Sequence, residues 1–294
     1  MSNEKRYGIW KEKKVLFIGD SLTEAHIYPE VVKEILGIQP FYHCKGGASL
    51  QKMVDGENGL DGKYDAESDS AGILRPLTAD TVKDKDLIVF FGGYNSRWVD
   101  IGEVGDLYSP DQTGQNTVAG LMQYAINRIY DTLYTAGNMT CRLLVVTVDC
   151  SGKYPYADAD AYQETAPKTG RTLAAMATIQ RAVAEYNAIP CCDLFHTSGI
   201  NPRTWQYFSA SPDAENHQYT PYRLDENGCP LSNERIRYIN GEYYYQRRGE
   251  RVVLEQYCGK SPFPYIGDQL HKSPAGYRRI GEVIAGAIIA AYGN

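Results

Sequence analysis

Ser21 lies at the end of an apolar run, in Gly19-Asp20-Ser21-Leu22, and near the other end the chain carries Asp268-Gln269-Leu270-His271. A serine hydroxyl is a weak nucleophile until a base takes its proton. A neutral histidine can take that proton and return it to a leaving group, and a carboxylate can fix the histidine tautomer and steady the imidazolium. A turn carrying Asp268 and His271 three residues apart can aim both at one point. The chemistry this would serve is acyl transfer.

Taken alone, a serine after aspartate also reads as a turn or helix cap. Two further segments add to it. Gly46-Gly47-Ala48-Ser49 and Gly93-Tyr94-Asn95-Ser96 each follow a short apolar run. Gly47 can offer a backbone N–H without steric obstruction, and Asn95 can offer its side-chain amide. Donors of this kind, held ready for a developing oxyanion, are worth roughly 10²–10³ in rate each.

Positioning these loops requires a scaffold that brings several strand ends together. Short apolar runs at Val15–Gly19, Phe41–Cys44, Leu87–Phe91, Leu143–Val148 and Cys191–Phe195 read as five strands. Between and after them, Pro29–Leu36, Asn116–Ala136, Thr172–Asn187 and Gly276–Ala291 carry apolar residues at helical spacing. Alternation of this kind predicts a three-layer α/β/α sandwich on a five-stranded, mostly parallel sheet of flavodoxin-like type, with the site at the carboxyl ends of the strands. One domain spanning 1–294 is expected, interrupted by a β-rich insertion at about 204–265. Within it, Arg235–Ile239 and Glu242–Gln246 flank Asn240-Gly241, a hairpin turn signal, and Val252–Tyr257 supplies a third strand.

The four segments, in this order, resemble the four sequence blocks of the SGNH/GDSL hydrolase superfamily. Block one matches as Gly19-Asp20-Ser21-Leu22, block two as the Gly46-Gly47 turn, block three as Gly93-Tyr94-Asn95 and the last as Asp268-Gln269-Leu270-His271. The resemblance implies Ser21, Asp268 and His271 as catalytic triad. It also implies an oxyanion hole made by the N–H groups of Ser21 and Gly47 with the Asn95 amide. It implies ester hydrolysis through an acyl-enzyme, with no cofactor and no metal. Two positions depart from the family pattern: Ser96 stands where aspartate is usual, and His43-Cys44-Lys45 precede the glycines where an asparagine is usual.

Composition bounds the rest. With 43% hydrophobic and 22% charged residues, the 294-residue chain reads as an ordinary globular protein. A net charge of -6 gives no general attraction to nucleic acid. The N-terminal segment has no apolar stretch long enough for a signal peptide or a membrane span. Seven cysteines without framework spacing read as reduced thiols. A cytoplasmic setting is favoured, with secretion after signal removal the alternative. His26, His43, His196 and His217 read as structural, and Cys44 as a small buried hydrophobe.

The insertion is dense in tyrosine, including Tyr238, Tyr243, Tyr244, Tyr245 and Tyr257. Cross-strand packing accounts for such a pattern, and so would stacking on sugar rings or a contact between subunits of an oligomer. The expected substrate is a small-molecule or carbohydrate ester, most simply an O-acetyl group on a sugar. A lipid esterase or thioesterase, and a non-catalytic binding protein on a hydrolase scaffold, are the competing readings.

Overall fold

A computed structural model describes residues 8–56, 75–96, 99–108, 116–151, 172–201 and 270–293, together with 204, 208, 211–212, 219–220, 236–239, 242–247 and 250–253. Five strands form one sheet: β1 (Lys14–Gly19), β2 (Gln39–Cys44), β3 (Leu87–Phe91), β4 (Arg142–Val146) and β5 (Cys191–Cys192). Their order is β2-β1-β3-β4-β5, and every pairing is parallel. Parallel strands are covered on both faces, which is why β3 is buried at all five positions and reads as an unbroken apolar run. Burying each such side chain contributes about 1.5–3 kcal/mol.

Four long helices flank the sheet. Helices α1 (Ile27–Leu36) and α4 (Pro274–Tyr292) pack together on one face, and α2 (Val118–Thr135) and α3 (Leu173–Tyr186) on the other. Each buries one stripe. In α1 it is Tyr28, Val31, Val32 and Leu36; in α2 it runs from Val118 through Met122, Ala125 and Ile129 to Leu133. Side-chain oxygens close three of the four starts: Thr117 accepts from Gly120 N, Thr172 from Ala175 N and Ser273 from Gly276 N. Pro274 follows Ser273 in the first turn of α4, where its missing N–H costs nothing. None of the helices among the described residues is long and apolar enough to cross a membrane.

The expected elements are present with shifted ends. Helix α1 begins at Ile27, two residues ahead of Pro29. Strand β4 stops at Val146, and the N–H of Val148 goes to Gln180 Oε1 at 2.8 Å instead of to a neighbouring strand. Strand β5 is only two residues long because the Asp193 carboxylate accepts the His196 N–H and starts a helical turn over Leu194–Thr197. Within 204–265, Ile236–Ile239, Glu242–Arg247 and Glu250–Val253 form an antiparallel three-stranded sheet in which Tyr245 pairs with both Ile236 and Val252. The third strand thus starts two residues before Val252, and its expected continuation to Tyr257 lies outside the described residues.

Register decides where the loops meet. Gly19 pairs with Cys44 on one side and Phe91 on the other, and Phe91 pairs with Val146. The residues that follow these four strand ends therefore emerge side by side. In a sheet of this order the connections from β1 and β3 leave in opposite directions, which opens a crevice at their carboxyl ends.

Candidate active site

Ser21 opens a single helical turn, Ser21–Glu24, directly after β1. Asp20 caps that turn: its Oδ1 accepts the Leu22 N–H at 3.1 Å. The turn fits against the strand only because residue 19 is glycine. A Cβ there would lie 2.0 Å from Thr23 Oγ1 and 2.6 Å from the Phe91 carbonyl oxygen, both closer than any real contact. The tight β1-to-turn junction presents the Ser21 hydroxyl at the strand's end, partly exposed.

His271 meets it there. Its Nε2 lies 2.8 Å from Ser21 Oγ, across 250 residues of sequence. The histidine stands three residues ahead of α4, between buried Leu270 and the capping Ser273, whose N–H also donates to the Phe208 carbonyl at 2.7 Å. Asp268 lies outside the described residues.

The two donor loops lie alongside. Gly47 has φ 81°, a left-handed conformation suited to glycine. The Gly46 N–H is taken by Glu24 Oε2 at 2.9 Å, so the loop after β2 is tied to the turn that carries Ser21. Among the described residues the N–H groups of Ser21 and Gly47 have no such partner. The Asn95 amide donates to the Ala48 carbonyl at 3.1 Å and reaches Asp20 Oδ2 only at 3.5 Å. One of its two hydrogens is therefore weakly held and free to turn toward an anion.

Both departures from the family pattern have a physical reading here. Ser96, 3% exposed, accepts the Leu50 N–H on its Oγ at 3.0 Å and so joins the second and third loops. His43 is buried, and desolvation pulls its pKa down to about 4, so it sits neutral beneath the second loop. Burial likewise pushes the Cys44 thiol up to about 12, which leaves it unreactive at neutral pH. His26 stacks on Tyr42 at 3.8 Å, and His196 Nδ1 lies 2.9 Å from the Asp193 carboxylate. His217 lies outside the described residues.

Electrostatically the site is marked by buried carboxyls. Burial raises Asp20 to about 6, partly offset by its backbone hydrogen bond from Leu22 and by His271. Behind it lies Asp149, just past the end of β4 and fully buried, with its carboxyl also raised by desolvation and pulled back by Lys272. Asp149 and Lys272 were not legible as site residues. The one signal was their place: an aspartate ending an apolar strand, and a lysine directly after the histidine.

No protein-family model and no curated protein sequence matches the chain. Solved structures do. A possible lipase from Chitinophaga pinensis DSM 2588 superposes with a TM-score of 0.57 at 19% identity, over 96% of this chain and 100% of that one. A protein from Lactobacillus plantarum matches with a TM-score of 0.53 at 14% identity, over 96% and 98% of the two chains. Identities this low speak to the backbone alone. The strand order, the helices on both faces and the likeness to these structures agree: the chain has the expected three-layer α/β/α fold on a five-stranded parallel sheet.

Proposed function

We propose that this protein is an ester hydrolase that works through an acyl-enzyme on Ser21. The observation that carries the reading is the 2.8 Å approach of His271 Nε2 to Ser21 Oγ at the carboxyl end of the sheet. In the proposed cycle Ser21 Oγ attacks the ester carbonyl while His271 takes its proton. The oxyanion is held by the N–H groups of Ser21 and Gly47 and by the loosely committed hydrogen of Asn95. His271 then returns the proton to the departing alcohol. Water, deprotonated by the same imidazole, releases the acid and restores the serine. Asp268 is assigned the role of orienting His271.

For substrate, an O-acetyl ester on a carbohydrate is the primary reading, supported by the tyrosine density of the insertion, which suits sugar rings. The name of the Chitinophaga neighbour, a possible lipase, favours a lipid ester as the second reading. Hydrolysis of p-nitrophenyl acetate, butyrate and octanoate, with an acetylated xylooligosaccharide alongside, separates them. Activity on the acetate and the sugar ester, lost in Ser21→Ala, is the expected result. Preference for octanoate selects the lipid reading, and equal rates from wild type and Ser21→Ala remove the nucleophile assignment.

A further inference from the structure

The segment that carries His271 is fastened to the sheet by a pair of charges that the four sequence blocks do not contain. Lys272 Nζ lies 2.9 Å from Asp149 Oδ2, with side-chain exposures of 1% and 0%. The contact is close but off the angle of a well-formed hydrogen bond, and neither group has a second hydrogen-bond partner among the described residues. Asp149 is itself rigidly held. Its N–H donates to Tyr94 Oη at 2.6 Å, and the same hydroxyl donates back to the Asp149 carbonyl at 3.1 Å. Tyr94 is the neighbour of Asn95. The ion pair therefore links the residue after the histidine to the residue before the oxyanion asparagine, through the end of β4.

Two charges withdrawn this far from water are costly, and apolar residues of similar size commonly stabilise a fold as well or better. Their merit is direction: a buried ammonium has one place to go, whereas an apolar side chain accepts several. The need for direction is local. His271 has to meet Ser21 from the far end of the sequence, after the insertion at 204–265, and a displacement of an ångström at such a contact can cost roughly 10²-fold in rate.

We infer that Lys272 and Asp149 form a positioning pair that sets His271 against Ser21, distinct from the groups that touch substrate. The inference rests on the reading of Ser21 and His271 given above. Neither residue reaches the reacting atoms; their effect passes through the backbone of 271–272 and through Tyr94.

The test is the rate of Ser21 acylation, followed as kcat and burst with p-nitrophenyl acetate, in Lys272→Met, Lys272→Arg and the apolar double variant Asp149→Leu/Lys272→Met. The double variant strands no buried charge, so its fold, checked by circular dichroism and thermal midpoint, is expected to survive. Its kcat is expected to fall roughly 100-fold with KM within about twofold, while Lys272→Arg keeps more than about a fifth of wild-type kcat. A folded double variant with kcat within about threefold of wild type overturns the inference, as do equal losses in Lys272→Arg and Lys272→Met. Should the double variant not fold, Asp149→Asn/Lys272→Met, which keeps the size of both side chains and strands no charge, decides: a kcat within about threefold of wild type overturns the pair, and a roughly 100-fold loss supports it. Ser21→Ala, assayed in parallel, separates the two levels. Activity that survives in Ser21→Ala defeats the serine reading itself, whereas Ser21-dependent activity indifferent to the pair defeats only the positioning.

Discussion

The two ends of the sheet use the same residue types to opposite effect. At the amino end, Lys14 Nζ meets Asp84 at 2.7 Å and Lys13 meets Asp86 at 2.9 Å, with every one of these side chains at least a third exposed. Lys85 adds a second contact to Asp84. At the carboxyl end, Asp20, Asp149 and Lys272 are essentially out of water. Asp84, hydrogen-bonded by Lys14 and Lys85, is held down to about 2, whereas desolvation carries Asp20 up to about 6. At the amino end, water screens Lys13, Lys14, Asp84 and Asp86, and Lys85 alone is withdrawn from it, with its side chain 6% exposed. At the carboxyl end each polar group is costly to bury, is held by packed neighbours, and points one way. The proposed site lies where polar groups are expensive and fixed.

The comparison breaks hardest at Ser21. Ser21→Ala and His271→Ala are each expected to lower kcat on p-nitrophenyl acetate by roughly 10⁴-fold or more and to leave the thermal midpoint nearly unchanged. The double variant should be no worse than either single one, because the two act as a unit. Additive losses would show that they do not. Asn95→Ala comes next. Losing one oxyanion donor is expected to cost roughly 10²–10³ in kcat. The lost bond to the Ala48 carbonyl adds a modest drop in stability that a melting curve will register.

How much of this was legible beforehand follows from where information resides in a chain. Strand β3 was legible because burial on both faces forces an unbroken apolar run, and α4 because apolar residues recur at helical spacing over Gly276–Ala291, although its start lies two residues earlier, at Pro274 behind the Ser273 cap. Ser21, Gly47, Asn95 and His271 could be singled out as candidates because each sits in a short segment whose residue types suit acyl transfer. The short fifth strand was not, since a run such as Cys191–Phe195 does not reveal that the Asp193 side chain captures the His196 N–H and turns the backbone helical. The pair of Asp149 and Lys272 was not legible either. Lysine after histidine is an ordinary surface pattern, and nothing local to residues 149 and 272 discloses that register brings them to 2.9 Å.

Beneath the second loop the comparison can be sharpened by pH. His43 is depressed to about 4 from its ordinary 6.5, so below pH 6.5 the unfolded chain takes a proton that the folded chain refuses, and stability is lost as pH falls toward 4. Asp20, raised to about 6 from 3.8, runs the other way: its cost to the fold, full above pH 6, is relieved as pH falls toward 3.8. The two nearly cancel in the wild type. In His43→Leu only the Asp20 effect remains of the two. Relative to wild type, the variant is therefore expected to gain about 2–3 kcal/mol between pH 7 and pH 4, read from urea melts at both values. A constant difference across that range would show that His43 is not held neutral.

The smallest effect belongs to the amino end, and it tests the contrast from the other side. Asp84 is pulled far down in pKa, yet its side chain is 43% exposed and Lys14 is 39% exposed, so most of that shift reflects a charge already well solvated. Discounted for screening, the Lys14–Asp84 pair is worth about 0.2–1 kcal/mol. Lys14→Ala is therefore expected to lower stability by less than about 1 kcal/mol at low salt and by almost nothing near 1 M salt, where the Debye length shrinks to about 3 Å. Esterase activity should be unaffected, since the pair lies at the opposite end of the strands from Ser21. Whatever stability the pair contributes should vanish below about pH 2, where Asp84 is protonated in both states. A salt-insensitive loss of several kcal/mol would mean that the amino-end pairs are as firmly committed as the buried pair beside His271, and the distinction between the two ends would have to be abandoned.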